Sequence, residues 1–285
     1  MKRAAIISKP GKPEMGQVVR EVTGWLRQHG YELAMDSVTA GFCEGCQPTE
    51  RAEMIRQKPD FVMVLGGDGT LLATGHDVAR AGIPIVGVNL GSLGFLTEVK
   101  QDEIRQALET IDAGRCAVSL RSMLECRLLR NGQTIATYEA LNDVVVNQGA
   151  LARITDFDLR INGQFVSNYK ADGLIVATPT GSTAYSLAAG GPILAPDVPA
   201  FVITPVASHA LTNRPLVVRD TDLIEISMKA SREAAFLAVD GQQGMSMADG
   251  DILQCRKSEL QVKLLKLPER SFFDVLRMKL KWGER

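Results

Sequence analysis

No stretch of the 285-residue chain is apolar for long enough to cross a membrane, and the opening MKRAAIISKPGKP holds no run of signal-peptide length. The expectation is a cytoplasmic chain with no membrane partner. Charge of one sign is lacking too, with 33 acidic side chains against 32 basic ones and a formal net charge of −1. Without a broad positive field, nucleic acid is not the expected partner, and an anionic ligand must be held by local donors. Cysteines are few and odd in number, five in all, at Cys43, Cys46, Cys116, Cys126 and Cys255. They make no disulfide framework. The one CxxC, Cys43-Glu-Gly-Cys46, supplies half of a zinc ligand set and has no second Cys/His pair at finger spacing, so two free thiols in a loop are expected. His29, His76 and His209 show no metal spacing, and no metal-ligating residue is assigned. A Walker loop is missing as well. After the first apolar run comes Lys9-Pro10-Gly11-Lys12-Pro13-Glu14-Met15-Gly16, which is not the GxGxxG fingerprint and disfavours a Rossmann redox grip on NAD.

What is present is a two-part chain. Its 45% hydrophobic and 23% charged residues are enough to bury a sizeable core, and its length exceeds one usual domain. Through about residue 118, strands and helices alternate. Ala4–Ser8, Tyr31–Met35, Phe61–Leu65 and Ile83–Val88 read as strands, and Val18, Val22, Trp25 and Leu26 repeat at helical spacing before Gly30. FVMVL at 61–65 is apolar throughout, as a strand buried on both faces of a parallel sheet must be. A helical pattern follows at Leu71–Ala81. The stretch from Gly41 to Gln57 is loop-like, with a helical option at Arg51–Gln57.

From Arg121 short β-rich runs take over, with Asn131-Gly132 and Asn162-Gly163 as hairpin signals. Further strands are expected at Leu174–Thr178, Phe201–Pro205, Leu216–Arg219, Leu223–Met228, Ala234–Val239 and Leu260–Lys266. The fold class is therefore an α/β N-terminal domain, a parallel sheet with flanking helices, plus an all-β, sandwich-like C-terminal domain. Boundaries fall at 1–118, 119–268 and 269–285. The last segment is an amphipathic helix with Phe273, Leu276 and Leu280 on one side, packing back on the N-terminal domain.

Gly66-Gly67-Asp68-Gly69-Thr70 lies between a buried strand and a helix, where parallel sheets bind ligands. A tight βα turn with Asp68 as N-cap, worth ~1 kcal/mol, would explain part of it. Three glycines around one aspartate exceed what a cap needs and favour a loop that lets backbone approach phosphate. Asn142 and Asp143 stand at a strand entrance, either as an Asx turn or as groups suited to an adenine edge and a ribose diol. Thr178–Ser186, TPTGSTAYS, carries hydroxyls able to wrap a polar ligand and a tyrosine ring on which a base can stack. Lys170 and Asp172, by residue type alone, make a surface ion pair.

GGDGT resembles the signature of a kinase superfamily that includes NAD kinases, lipid kinases and, more distantly, phosphofructokinases. Leu141–Val146, Tyr169–Leu174 and above all Thr178–Ser186 resemble the NAD kinase family, as do Asn89–Leu96 and Ser208–Pro215. The likeness spans roughly residues 60–250. It implies transfer of the γ-phosphoryl group of ATP to the 2′-hydroxyl of NAD's adenosine ribose, with Mg²⁺ carried in by ATP and a homodimer or homotetramer. By that resemblance Asp68 is the general base, and Gly67, Gly69 and Thr70 orient the donor phosphates. Asn142 meets adenine and Asp143 the ribose. Thr180, Thr183, Ala184, Tyr185 and Ser186 line the dinucleotide site, with contributions from Arg153, Lys170, Asp172, Asp240 and Gln242. Where bacterial relatives often carry Asp-Ser-Gln, this chain has Asp240-Gly241-Gln242. A lipid kinase and a non-catalytic dinucleotide sensor are the rival readings.

Overall fold

The computed structural model describes residues 1–11, 14–91, 93–148, 155–208, 210, 212–229, 235–268 and 270–283. The chain divides into two compact units, Met1–Leu120 with Gln261–Arg285, and Arg121–Leu260.

The first unit runs β1 (Lys2–Ser8), α1 (Met15–Gln28), β2 (Tyr31–Met35), α2 (Ser37–Ala40), α3 (Arg51–Arg56), β3 (Phe61–Leu65), α4 (Asp68–Ala81), β4 (Ile85–Asn89), β5 (Val99–Lys100) and α5 (Ile104–Asp112). Its strands lie in the order β4-β3-β1-β2, all parallel. The chain enters at β1, steps to one side for β2 and returns to the other for β3, so a switch point lies between β1 and β3. Every residue of β3 is buried, as its unbroken apolar run requires. Helix α1 buries Val18, Val22 and Leu26 against this sheet, together with Ile6, Met63 and Val86. Helix α4 starts at Asp68, three residues before the apolar pattern begins, because Gly67 rather than Asp68 is its N-cap.

The second unit takes up most of β6 (Ala117–Arg130), then β7 (Gln133–Ala140), β8 (Asp143–Gln148), β9 (Thr155–Ile161), β10 (Gln164–Ala171), β11 (Gly173–Ala177), α6 (Tyr185–Ala188), β12 (Ala200–Val206), β13 (Leu216–Arg219), β14 (Ile224–Lys229), β15 (Ala235–Val239), β16 (Gln243–Met247) and the first part of β17 (Ile252–Lys266). Both Asn-Gly pairs make the expected hairpins, with Asn131 and Asn162 at φ of 50° and 51°. One sheet runs β13-β12-β11-β8-β15-β16, and its pairings are antiparallel. Val144, Val146, Leu174, Val176, Phe201 and Ile203 from it bury one face against Leu124, Phe157, Leu159, Ile226 and Leu253 of the other sheet. That is the expected two-sheet core.

The tail, α7 (Phe272–Leu280), is capped by Ser271, whose hydroxyl accepts from the Asp274 N–H. Its buried side is Val275 and Leu276, while Phe273 is 61% exposed, so the expected stripe through Phe273 is corrected. The inner stripe is Phe272, Val275, Leu276 and Lys279, at i, i+3, i+4 and i+7, and the lysine within it hides the phase of the pattern. The expectation of five free thiols is corrected as well, since Cys43 and Cys46 are joined as a disulfide. Spacing alone does not say whether a loop folds two sulfurs together. No helix among the described residues is long and apolar enough to cross a membrane.

Candidate active site

In the first unit the carboxyl ends of β1, β3 and β4 open on a cleft of about 340 Å³ lined by Lys9, Met15, Gly66, Gly67, Asp68, Asn89, Leu90, Gly91, Gly94 and Lys279. It sits at the switch point, and the N-terminal end of α4, which favours anions, faces it. Asp68 does not cap its own helix. Its Oδ2 accepts the Phe95 N–H at 2.8 Å, and its Oδ1 accepts the Leu96 N–H at 3.1 Å, the Thr97 N–H at 3.0 Å and the Thr97 hydroxyl at 2.8 Å. The carboxylate thus ties the GGDGT turn to the loop after β4. A Cβ on Gly94 would stand 1.9 Å from Asp68 Oδ1, so residue 94 must be glycine for that bond set to form. Gly67 is the N-cap of α4, and Gly69 and Thr70 complete its first turn.

In the second unit a cleft of about 350 Å³ is lined by Asn142, Asp143, Val145, Asn147, Ala184, Tyr185, Ala238, Asp240 and Gly241. The Asp240 carboxylate accepts three consecutive backbone N–H groups, from Leu141 and Asn142 at 2.8 Å and Asp143 at 3.0 Å. In return the Asp240 N–H donates to the Asp143 carbonyl at 2.9 Å. The strand entrance is therefore held rigidly. Asp143, only 5% exposed, sits beside that second carboxylate, and burial first, then the charge of Asp240, push its carboxyl up to about 7.

The TPTGSTAYS hydroxyls make bonds within the loop and to Leu141, Leu194 and Thr204. Thr178 Oγ1 donates to the Leu141 carbonyl at 2.5 Å, Ser182 Oγ to Pro179 at 2.6 Å, and Thr183 Oγ1 to Thr180 at 3.1 Å. Ser186 is fully buried against Thr204, at 2.8 Å between hydroxyls, and Thr180 is 6% exposed. A Cβ on Gly181 would meet the Asn142 carbonyl oxygen at 1.9 Å, so the glycine lets the two motifs touch. What this turn presents to the cleft is Ala184 and the ring of Tyr185, 46% exposed.

The structure thus brings together Gly67, Asp68, Gly69 and Thr70 in one unit, and Asn142, Asp143, Ala184, Tyr185 and Asp240 in the other. Lys170, Asp172 and Gln242 are exposed and stand outside the wall of the second cleft, and Arg153 lies outside the described residues. Lys9 and Lys279 were not found from sequence, since each lies far along the chain from GGDGT and carries no motif of its own, whereas Asn89 opens the Asn89–Leu96 segment, which was noted without a role for this residue.

Models of the ATP-NAD kinase N-terminal and C-terminal domains match residues 4–116 and 141–267. The chain belongs to the ATP-NAD kinase family. Among members of that family, the NAD kinase of Koribacter versatilis is 54% identical over the full length of both chains, and that of Acidobacterium capsulatum 48% over the same span. Among solved structures, yeast NADH kinase complexed with NADH aligns with a TM-score of 0.87 at 26% identity, covering 100% of this chain and 89% of the other. An NAD kinase from Archaeoglobus fulgidus in complex with ATP aligns with a TM-score of 0.77 at 27% identity, covering 99% and 100%.

Proposed function

We infer that the chain transfers the γ-phosphoryl group of ATP to the 2′-hydroxyl of the adenosine ribose of NAD, giving NADP and ADP. The observation that carries this reading is the GGDGT cleft at the β1/β3 switch point, where the α4 N-terminus, Lys9 and Lys279 supply positive potential for a polyphosphate. The ribose oxygen bonds to the γ-phosphorus as the bond to the bridging oxygen of ADP breaks. Asp68 receives the hydroxyl proton. Among the described residues its Oδ1 accepts three donors and its Oδ2 one, so Oδ2 is the oxygen left to take that proton. Asp143 accepts the ribose hydroxyls, Asn142 reads the adenine edge, and Tyr185 offers its ring for stacking. Asp240 serves by holding the backbone that carries Asn142 and Asp143.

Among the described residues, no three Asp, Glu, His or Cys side chains converge on a metal-sized site. Mg²⁺ carried in with ATP would neutralise phosphate charge during transfer. A cytoplasmic homodimer or homotetramer is part of the same proposal. The test incubates the chain with ATP, Mg²⁺ and NAD, NADH or diacylglycerol. A dinucleotide phosphorylated on the 2′-oxygen supports the reading, phosphatidic acid supports a lipid kinase, and binding without turnover supports a sensor.

A further inference from the structure

The CxxC is the one sequence motif that the phosphoryl-transfer reading leaves unused. Cys43 and Cys46 have Cα atoms 5.5 Å apart, within the span a disulfide bridges. The loop folds that way because Cys43 follows the short α2 and is buried in the first unit's core with Ala40 and Met15, leaving the chain to turn back through Gly45 at φ 71°. Helix α1 brings a cation to the pair. Arg27 Nη2 donates to Cys46 Sγ at 3.0 Å and lies 3.8 Å from Cys43 Sγ. The two sulfurs differ in access: Cys43 is 9% exposed, whereas Cys46 is half-buried between exposed Gly45 and Gln47.

The other three cysteines have the opposite surroundings. Burial pushes the Cys126 thiol up to about 12, the Cys255 thiol well above its ordinary value, and the Cys116 thiol up as well. A thiol in apolar surroundings stays protonated and inert, whereas one in contact with a guanidinium ionises more readily and reacts.

We propose that Cys43 and Cys46 form a reversible thiol–disulfide exchange site, in which Cys46, poised by Arg27, is the reacting sulfur and Cys43 the resolving one. The oxidant is a small or protein disulfide. The Cys46 thiolate attacks one of its sulfurs, expels a thiolate and leaves a mixed disulfide. Cys43 then loses its proton and attacks the Cys46 sulfur, expelling the second thiolate. The two protein thiols lose two electrons and two protons, and one external disulfide becomes two thiols. A guanidinium in contact with a sulfur favours its thiolate, the form that attacks a disulfide.

The full-length chain, reduced, desalted and still folded by circular dichroism, is titrated with mixtures of reduced and oxidised glutathione, quenched with an alkylating agent and read by mass. The expected result is a species two hydrogens lighter, with the bond mapped to Cys43 and Cys46 and reversed by dithiothreitol. Cys43→Ser should stall as glutathione attached to Cys46, and Arg27→Gln should slow that attachment. A Cys46 that stays unmodified across all mixtures, or that reacts no faster than Cys116, overturns the proposal. So does an Arg27→Gln variant, folded as the parent, that reacts at the parent rate.

Discussion

Raising pH from 6 to 8 should tighten NAD binding through Asp143. This carboxyl is pushed from its ordinary 3.8 up to about 7 by burial and by the neighbouring charge of Asp240. A ribose diol donates hydrogen bonds, and it is the ionised carboxylate that accepts two of them. NAD therefore selects the ionised form and releases a proton on binding. With a midpoint near 7, about one-eleventh of the free protein is ionised at pH 6 and about ten-elevenths at pH 8, so KM for NAD should fall about tenfold over that interval. The same shift acts on stability in the other direction. The folded chain keeps this proton up to about pH 7, whereas the unfolded chain releases it near 3.8. The stabilising contribution is thus full below 3.8 and lost as pH rises through 7, an effect of about 4 kcal/mol. Initial rates with saturating ATP between pH 6 and 8 give KM directly. Asp143→Asn should flatten the profile, and Asp240→Asn, which removes the neighbouring charge, should move its midpoint to lower pH. A KM that is flat in the parent, or that still changes tenfold in Asp143→Asn, refutes the assignment.

Four further outcomes follow from the two clefts. Asp68→Asn should lower kcat about 10²-fold or more while KM for NAD stays within a few-fold, because what it removes is a positioned proton acceptor; steady-state kinetics at one pH checks it. Gly94→Ala forces a methyl group to within 1.9 Å of Asp68 Oδ1 and should destabilise the fold by about 1–3 kcal/mol, seen in chemical denaturation. Tyr185→Ala should raise KM for NAD several-fold, the loss of about 0.5–1.5 kcal/mol of stacking, with KM for ATP unchanged. Lys279→Ala should raise KM for ATP and leave KM for NAD unchanged, since its cation borders the GGDGT cleft.

Much of the fold was legible where periodicity and burial agree. Tyr31–Met35, Phe61–Leu65 and Leu216–Arg219 match their strands end to end, because each apolar run is bounded by turn residues or charges. Both Asn-Gly hairpins were legible because positive φ at two successive residues leaves few alternatives. The site was legible only as far as its motifs. That Asp68 answers to Phe95, Leu96 and Thr97, and Asp240 to Leu141, Asn142 and Asp143, depends on contacts 27 to 99 residues apart, made by backbone groups that every residue type carries. The internal bonds of the TPTGSTAYS hydroxyls were not legible either, because a threonine that holds a loop together and one that holds a ligand look alike in a sequence. Lys279 was missed because the tail stripe was drawn through Phe273, which is exposed, rather than through Val275 and Leu276.

Asp68 and Asp240 share one device. Each directs its carboxylate at three consecutive backbone N–H groups, which would otherwise lack partners at a bend, and so fixes a loop that carries other side chains. The roles of the three aspartates then separate by position. Asp240 fixes the Asn142–Asp143 entrance, and its charge is one of the two causes that hold the Asp143 proton near neutral pH. Asp68 fixes the loop after β4 and keeps one oxygen less occupied. Titration around pH 7 therefore belongs to the acceptor cleft and should appear in KM for NAD, whereas loss of the Asp68 carboxylate should appear in kcat. Measuring the KM profile in Asp68→Asn tests that separation. The inflection near pH 7 should persist at reduced turnover. If it vanishes with Asp68, the group that titrates is Asp68 itself, and Asp143 is not the ribose acceptor.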